Sequence, residues 1–231
     1  MKESIVLYSG GIDSTTALYW ACNRFDKVNA LSIDYGQRHK VELKSAHKIT
    51  KKLNVAHKIF RFDLTQIGGS ALTDPYIQVP EFSHASKFNN GPPATYVPFR
   101  NGVFLSIAAA WAETKSITDI ICGFNVIDSP NYPDTSEAFV KAMQSAVNLG
   151  TKAVFKDEKF FLHAPFISKK KSQIIREGLA MGADYSYSIS CYAGKEIPCF
   201  KCSSCLLREK AWDEVGEKDH LIIRLEKEGK I

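Results

Sequence analysis

The sequence predicts an α/β protein: a mostly parallel sheet flanked by helices, with a small cysteine-bearing segment towards the C-terminus. Three observations carry this reading. Short apolar runs rich in β-branched and aromatic residues recur at 5–8, 28–33, 57–62, 119–122 and 160–163. Segments with helical period lie between them. A glycine-rich stretch, 9–16, follows the first run at once and leads into the first helical segment.

Each element follows in order. Residues 5–8 are the first strand, and Leu18, Cys22 and Phe25 share a face of the helix after it. Residues 28–33 are the second strand, and 34–39 lead from it into a second helix. Residues 57–62 are the third strand. The stretch 66–99 holds five of the nine prolines (Pro75, Pro80, Pro92, Pro93, Pro98), and a loop of that length within a domain is usually functional or mobile. After Arg100, the residues Val103, Phe104, Ile107, Ala108 and Trp111 form a helical stripe. Residues 119–122 are the fourth strand. Phe139, Met143 and Val147 recur at i, i+4 and i+8, which is helical spacing. Residues 160–163 are the fifth strand, Lys171 heads a further helix, and a charged helical tail follows the cysteines. Ligands of such sheets sit beyond the carboxyl ends of the strands, so the loops after Tyr8, Ile33 and Cys122 share one rim.

Composition narrows the class. The chain has 231 residues, 45% hydrophobic and 24% charged, with 30 Lys and Arg against 25 Asp and Glu, a net charge of +5. That excludes disorder. No run approaches the roughly 18 apolar residues of a membrane span, and the polar N-terminus does not read as a signal peptide. A cytoplasmic protein is expected. Basic residues are dispersed, with one dense run at Lys169, Lys170 and Lys171, whereas nucleic-acid binders concentrate theirs in a patch.

The stretch Ser9-Gly10-Gly11-Ile12-Asp13-Ser14-Thr15-Thr16 joins the first strand to the first helix. Two glycines let its backbone N–H groups approach an anion, and the hydroxyls of Ser9, Ser14 and Thr15 and the helix N-terminus add to the attraction. Asp13 suits either a helix N-cap or a magnesium ion bridging phosphates. The pattern is neither G-x-x-x-x-G-K-[ST] nor G-x-G-x-x-G. In the next rim loop, 34–39, Arg38 can fork onto a carboxylate or phosphate, and Gln37 and Asp34 can read a base or ribose edge. Without a ligand the same residues make a capped turn with a solvated Arg. His39, three residues before Glu42, reads as a surface pair.

Four of the six cysteines fall in the pattern Cys191-x7-Cys199-x2-Cys202-x2-Cys205. Four thiolates in a short loop suit a closed tetrahedral zinc site. An iron–sulfur cluster is the rival, and disulfides are awkward at x2 spacing.

The loop resembles the S-G-G-x-D-S signature of the PP-loop ATP pyrophosphatase superfamily, which binds ATP, expels pyrophosphate and transfers AMP to a substrate oxygen. Together with Asp34-Tyr35-Gly36-Gln37-Arg38-His39, it resembles the 7-cyano-7-deazaguanine synthase family. Tyr96-Val97-Pro98-Phe99-Arg100-Asn101 is similar to that family's V-P-G-R-N segment. Residues 123–134 take the place of its G-…-D-x-S-G-Y-P-D segment, Lys171 matches a helix lysine, and Ser190-Cys191-Tyr192 opens its zinc motif. The match runs in order from about residue 4 to about 210. The chain departs from the pattern at Ser129, Pro130, Asn131, Thr135 and Ser136, the last standing where the family has Arg. Phe99 and Phe200 replace glycines.

The resemblance implies a Rossmann-like fold of the adenine nucleotide alpha hydrolase kind. Residues 1–185 would form the ATP-binding domain, and 186–231 a zinc segment and helical tail packed on it. It implies ATP contacts from Tyr8, Ser9, Gly10, Gly11, Asp13, Ser14, Thr15 and Arg38. Gln37, Arg100, Asp128, Tyr132 and Asp134 would bind substrate, with Asp13, Arg100 and Lys171 in catalysis. Asp134 has a second reading as the N-cap of the helix carrying Phe139. Cys191, Cys199, Cys202 and Cys205 would hold a structural Zn2+. The implied activity is a carbon–nitrogen ligase using ATP and Mg2+: 7-carboxy-7-deazaguanine is adenylated, ammonia gives the amide, and a second adenylation gives the nitrile. A homodimer is implied too. One rival stops at the amide or joins the deazaguanine to a protein amine. Another is a tRNA-modifying PP-loop enzyme, for which Cys122 would be the reactive thiol. A third is a non-catalytic zinc-knuckle module, against which the intact nucleotide loop stands.

Overall fold

Five strands, β1 (Glu3–Leu7), β2 (Lys27–Asp34), β3 (Ala56–Arg61), β4 (Asp119–Cys122) and β5 (Phe161–His163), form one parallel sheet in the order β3-β2-β1-β4-β5. The computed structural model describes residues 1–83, 91–127, 131–156 and 158–231. The expected parallel α/β sheet is thus present, each strand within two residues of its predicted bounds. The chain winds outward from β1 to β3, then crosses back to lay β4 along the other side of β1. Loops leaving β1 and β4 diverge there, which opens a crevice at the carboxyl rim. Leu7 pairs with Leu31 on one side and Cys122 on the other. Ile5 and Val6 are fully buried, which explains why β1 reads as a continuous apolar run instead of an alternating one. β3 is an exposed edge whose Lys58 and Arg61 discourage pairing with another chain.

Seven helices, α1 (Ile12–Cys22), α2 (Val41–Lys52), α3 (Arg100–Lys115), α4 (Glu137–Gly150), α5 (Lys171–Ala180), α6 (Ser203–Val215) and α7 (His220–Lys227), cover the sheet and its rim among the described residues. Two predicted stripes need correction. Leu18 is buried but Cys22 is exposed. α1 packs on both the sheet and α5, so it is buried nearly all round. In α3 the innermost residues are Leu105, Ala108, Ala109 and Ala112, with Phe104, Ile107 and Trp111 only partly buried beside them. Small side chains bring that backbone close to the sheet, and the large ones seal the margins.

α5 is set against α1 through Gly178. A Cβ there would lie 1.8 Å from the Tyr185 hydroxyl, which hydrogen-bonds Thr16 Oγ1 at 2.7 Å. Tyr185 is fully enclosed and cannot yield. Gly178→Ala is therefore expected to cost about 3 kcal/mol, seen in a thermal melt as a Tm lower by roughly 6–12 °C.

The C-terminal helices are tied down by a buried ion pair, Arg208 to Asp219, at 2.5 and 2.7 Å. Arg208 also donates to the Ser188 carbonyl, and Asp219 caps α7 by accepting from Leu221 N. Both buried charges are thus compensated, as burial demands.

His57, on β3, introduces a pH dependence. Its Nε2 lies 2.7 Å from Ser32 Oγ, whose proton goes to the Tyr8 carbonyl. Burial, with the His47 ring stacked beside it, pushes His57 from 6.5 down to about 4. The unfolded chain takes up this proton at a higher pH than the folded one, so stability falls as pH drops through that window. His57→Gln is expected to flatten the dependence of Tm on pH between 6.5 and 4.

Candidate active site

The loop after β1 is braced by its own hydroxyls. Ser9 Oγ and Ser14 Oγ are 3.0 Å apart, Gly11 N donates to Ser9 Oγ, and Ser14 Oγ donates to Gly11 O. Gly10 has φ +88°, and a Cβ there would lie 2.9 Å from the Glu42 carbonyl, so glycine lets the loop press on α2. The N-cap of α1 is Gly11, with no side-chain cap, in place of the Asp13 cap read from sequence. The first N–H groups of α1 thus meet no capping oxygen and favour an anion. Asp13 lies in the first turn, where both its oxygens accept from Lys171 Nζ, at 2.8 and 2.6 Å.

A cavity of about 290 Å³ opens over this loop, near the size of a small-molecule site. Tyr8, Ser9, Gly11, Asp13 and Ser14 form its floor, and Arg100, Tyr132 and Lys171 also line it. Predicted residues from β1, α3, α5 and the loop after β4 therefore meet in one place. Gly10 and the fully buried Thr15 support the loop from behind.

Arg100 is held unusually for a cation. It opens α3 behind Phe99, whose φ is +52°. Its Nη1 donates to the Tyr35 hydroxyl at 3.3 Å, and the guanidinium lies 5.8 Å from the Tyr35 and Phe104 ring centroids. Nε has no partner, and no carboxylate among the described residues comes within ion-pair distance. Burial draws its pKa down, but Tyr35, Tyr192 and Asp134 nearby more than offset this, so the group stays charged.

Several expected residues take other places. Gln37 is buried off the cavity wall, with Oε1 accepting from Tyr35 N and Nε2 directed at Ile33 O and Glu42 Oε1. Its amide is used up inside the protein. Arg38 is exposed, donates to the Asp74 carbonyl and borders a separate shallow hollow with Val79 and Tyr192. Asp134 is buried and accepts from Asn101 N at 2.9 Å, so it caps α3; Ser136, accepting from Phe139 N, caps α4. Asp128 lies outside the described residues.

The reading of His39 and Glu42 as a surface pair is overturned. Both line the cavity, His39 is 5% exposed, and its Nε2 is 3.3 Å from Glu42 Oε1. Tyr35, Phe104 and Tyr192 also line the wall. Tyr35 stands one residue past β2, so its rim position was a signal; the others carried none.

The four Sγ atoms of Cys191, Cys199, Cys202 and Cys205 lie within 4.8 Å of one another, and no disulfide joins them. Cys199 N and Cys202 N donate to the sulfurs of Cys191 and Cys199 at 3.3 Å. The Cys199–Cys205 separation is 3.9 Å, against the about 3.8 Å that tetrahedral Zn–S bonds of ~2.3 Å produce. The set fits a metal ion. It also builds the cavity, because Ser190 and Tyr192 flank Cys191 while Ser204 and Leu207 come from α6. Ile189 N donates to Gly10 O at 3.0 Å, joining this segment to the loop. Cys122 is fully buried and burial pushes its thiol up to about 12, which removes it as a reactive nucleophile.

Fold, loop and cavity together define an α/β enzyme of the PP-loop class. Residues 3–216 match the family model described as queuosine biosynthesis protein QueC, and the chain belongs to this family. A 7-cyano-7-deazaguanine synthase of Cellvibrio japonicus is 43% identical over 222 residues, 94% of this chain and 96% of that one. The enzyme of the same name from Thermoplasma volcanium is 44% identical, covering 95% and 90%. That from Clostridium kluyveri is 42% identical, covering 98% and 100%.

Proposed function

We propose that this chain makes 7-cyano-7-deazaguanine from 7-carboxy-7-deazaguanine, ammonia and ATP. The observation that carries this reading is a charged Arg100, with no carboxylate partner among the described residues, facing the same cavity as an uncapped loop after β1, in a chain of this family. A carboxylate is a poor electrophile, and transferring AMP to its oxygen supplies a leaving group. Residues 8–14 would take the triphosphate, with Lys171 turning from Asp13 to the departing pyrophosphate. Arg100 would orient the substrate carboxylate, and Tyr132 and the aromatic wall would hold the deazapurine ring. Asp13 is the carboxylate suited to a magnesium ion, which would supply positive charge to the phosphates. The four cysteines would hold Zn2+ as a structural ion, tying 186–231 to the nucleotide-binding body of 1–185.

No helix among the described residues is long and apolar enough to cross a membrane, and a cytoplasmic homodimer goes with this reading. Mass spectrometry of products from 7-carboxy-7-deazaguanine, ATP, Mg2+ and ammonium tests it. The nitrile is expected, with two AMP released per molecule. An amide end product would overturn it.

A further inference from the structure

The cavity lining holds two carboxylates among the described residues, Asp13 and Glu42. Asp13 is neutralised by Lys171. Among the described residues Glu42 has no Lys or Arg within ion-pair distance, although its side chain is only 13% exposed. Enclosing a carboxylate in this way is costly unless a cation or hydrogen-bond donors compensate.

What surrounds Glu42 fixes its position. Gln37 Oε1 must accept from the Tyr35 backbone N–H, so the amide NH2 necessarily faces Glu42, and donates to Oε1 at 3.2 Å. His39 Nε2 approaches the same oxygen at 3.3 Å. Oε2 accepts no hydrogen bond from the described residues. Two buried side chains thus serve one oxygen and leave the other available. Arg100 lines the same cavity and donates to the Tyr35 hydroxyl, and the Tyr35 ring stands 6.5 Å from that of His39, the neighbour of Glu42. A place for an anion and a place for a cation therefore adjoin across Tyr35.

We propose that Glu42, held by Gln37 and His39, receives ammonium and takes its first proton, delivering ammonia to the acyl carbon of a substrate oriented by Arg100. This rests on the synthase reading above. At neutral pH ammonium has no lone pair to attack with, so a base must free one. The Glu42 carboxylate accepts one proton from nitrogen. The freed pair forms the C–N bond while the C–O bond to AMP breaks and its electrons leave on the AMP phosphate. A second proton passes from nitrogen to that phosphate, leaving the neutral amide, protonated Glu42 and AMP. Gln37 and His39 are positioning residues.

Hydroxylamine separates this role from others, because it is already neutral near pH 7 and traps the adenylate without needing the base. In Glu42→Gln, amide and nitrile formation from ammonium should fall about 100-fold, while hydroxamate formation and substrate-dependent pyrophosphate exchange stay within about threefold of the parent. Glu42→Asp, which keeps the charge on a shorter arm, should raise the KM for ammonium with hydroxamate formation again unchanged; it decides the matter if Glu42→Gln does not fold. Equal loss of hydroxamate and amide, with a raised KM for the deazapurine, would overturn the proposal and assign Glu42 to the ring edge. Unchanged amide formation would overturn it as well. If the unaltered protein gives neither exchange nor hydroxamate, the synthase reading itself fails and this inference goes with it.

Discussion

Arg100→Ala is expected to lower kcat/KM for 7-carboxy-7-deazaguanine by about 10³-fold, because one positioned donor to a reacting oxyanion is worth roughly 10²–10³. Arg100→Lys should recover little: a lysine offers a point charge, not two parallel donors, and its stem would not lie across Tyr35 and Phe104. Stability should move the other way. Among the described residues this guanidinium has one hydrogen bond to Tyr35, a partnerless Nε and no carboxylate. Removing it relieves a desolvation cost and breaks no ion pair, so the Tm of Arg100→Ala should equal or exceed that of the parent. A large loss of Tm with a proportionate loss of activity would instead mark Arg100 as a structural residue. Steady-state kinetics and a thermal melt on the same sample settle it.

The second large effect is expected at the cysteines. Cys205→Ser, or exhaustive chelation, should abolish bound metal and lower Tm by roughly 10 °C or more, given about 2–4 °C per kcal/mol for a chain of this size. Four sulfurs this close are a poor substitute for a core without an ion to join them, and Ile189, Leu221 and Leu225 pack directly on them. Activity should fall too, because Ser190, Tyr192, Ser204 and Leu207 would lose their fixed place on the cavity wall. Elemental analysis should find one metal ion per chain in the parent. Retention of metal and Tm by Cys205→Ser would refute the four-ligand site.

The sheet was legible because its information is local: apolar runs, their spacing, and a glycine turn at the end of the first. The loop residues Ser9 to Ser14 and the cysteines were legible for the same reason, being contiguous or nearly so. What sequence did not reveal is whether a polar side chain is already used up. Gln37 and Asp134 have the right chemistry for a ligand, but one is bound to Tyr35 N and Glu42, and the other commits its Oδ2 to capping a helix that begins 34 residues before it in the chain. Glu42 shows the converse. At three residues from His39 it has the spacing of an exposed pair, and only the packing of α2 against the phosphate loop turns both inward. The helical stripes erred in a related way, since small alanines in α3 define its inner face and hydrophobicity patterns weight them least.

The hydrogen bond from Ile189 to Gly10 has a consequence for how the protein is made. The loop after β1 emerges from the ribosome well before Lys171, Ser190, Tyr192, Ser204 and Leu207 of the same cavity. A nascent chain with its sheet already assembled would still display an open loop, apolar rim and unpaired cysteines. Translation past Leu207, which lets the four sulfurs draw together, is then the event that seals it. Pausing or truncation before that point would yield a folded-looking product with no enclosed site, recognisable to quality-control proteases by the thiols of Cys191 and Cys202, which the finished protein buries.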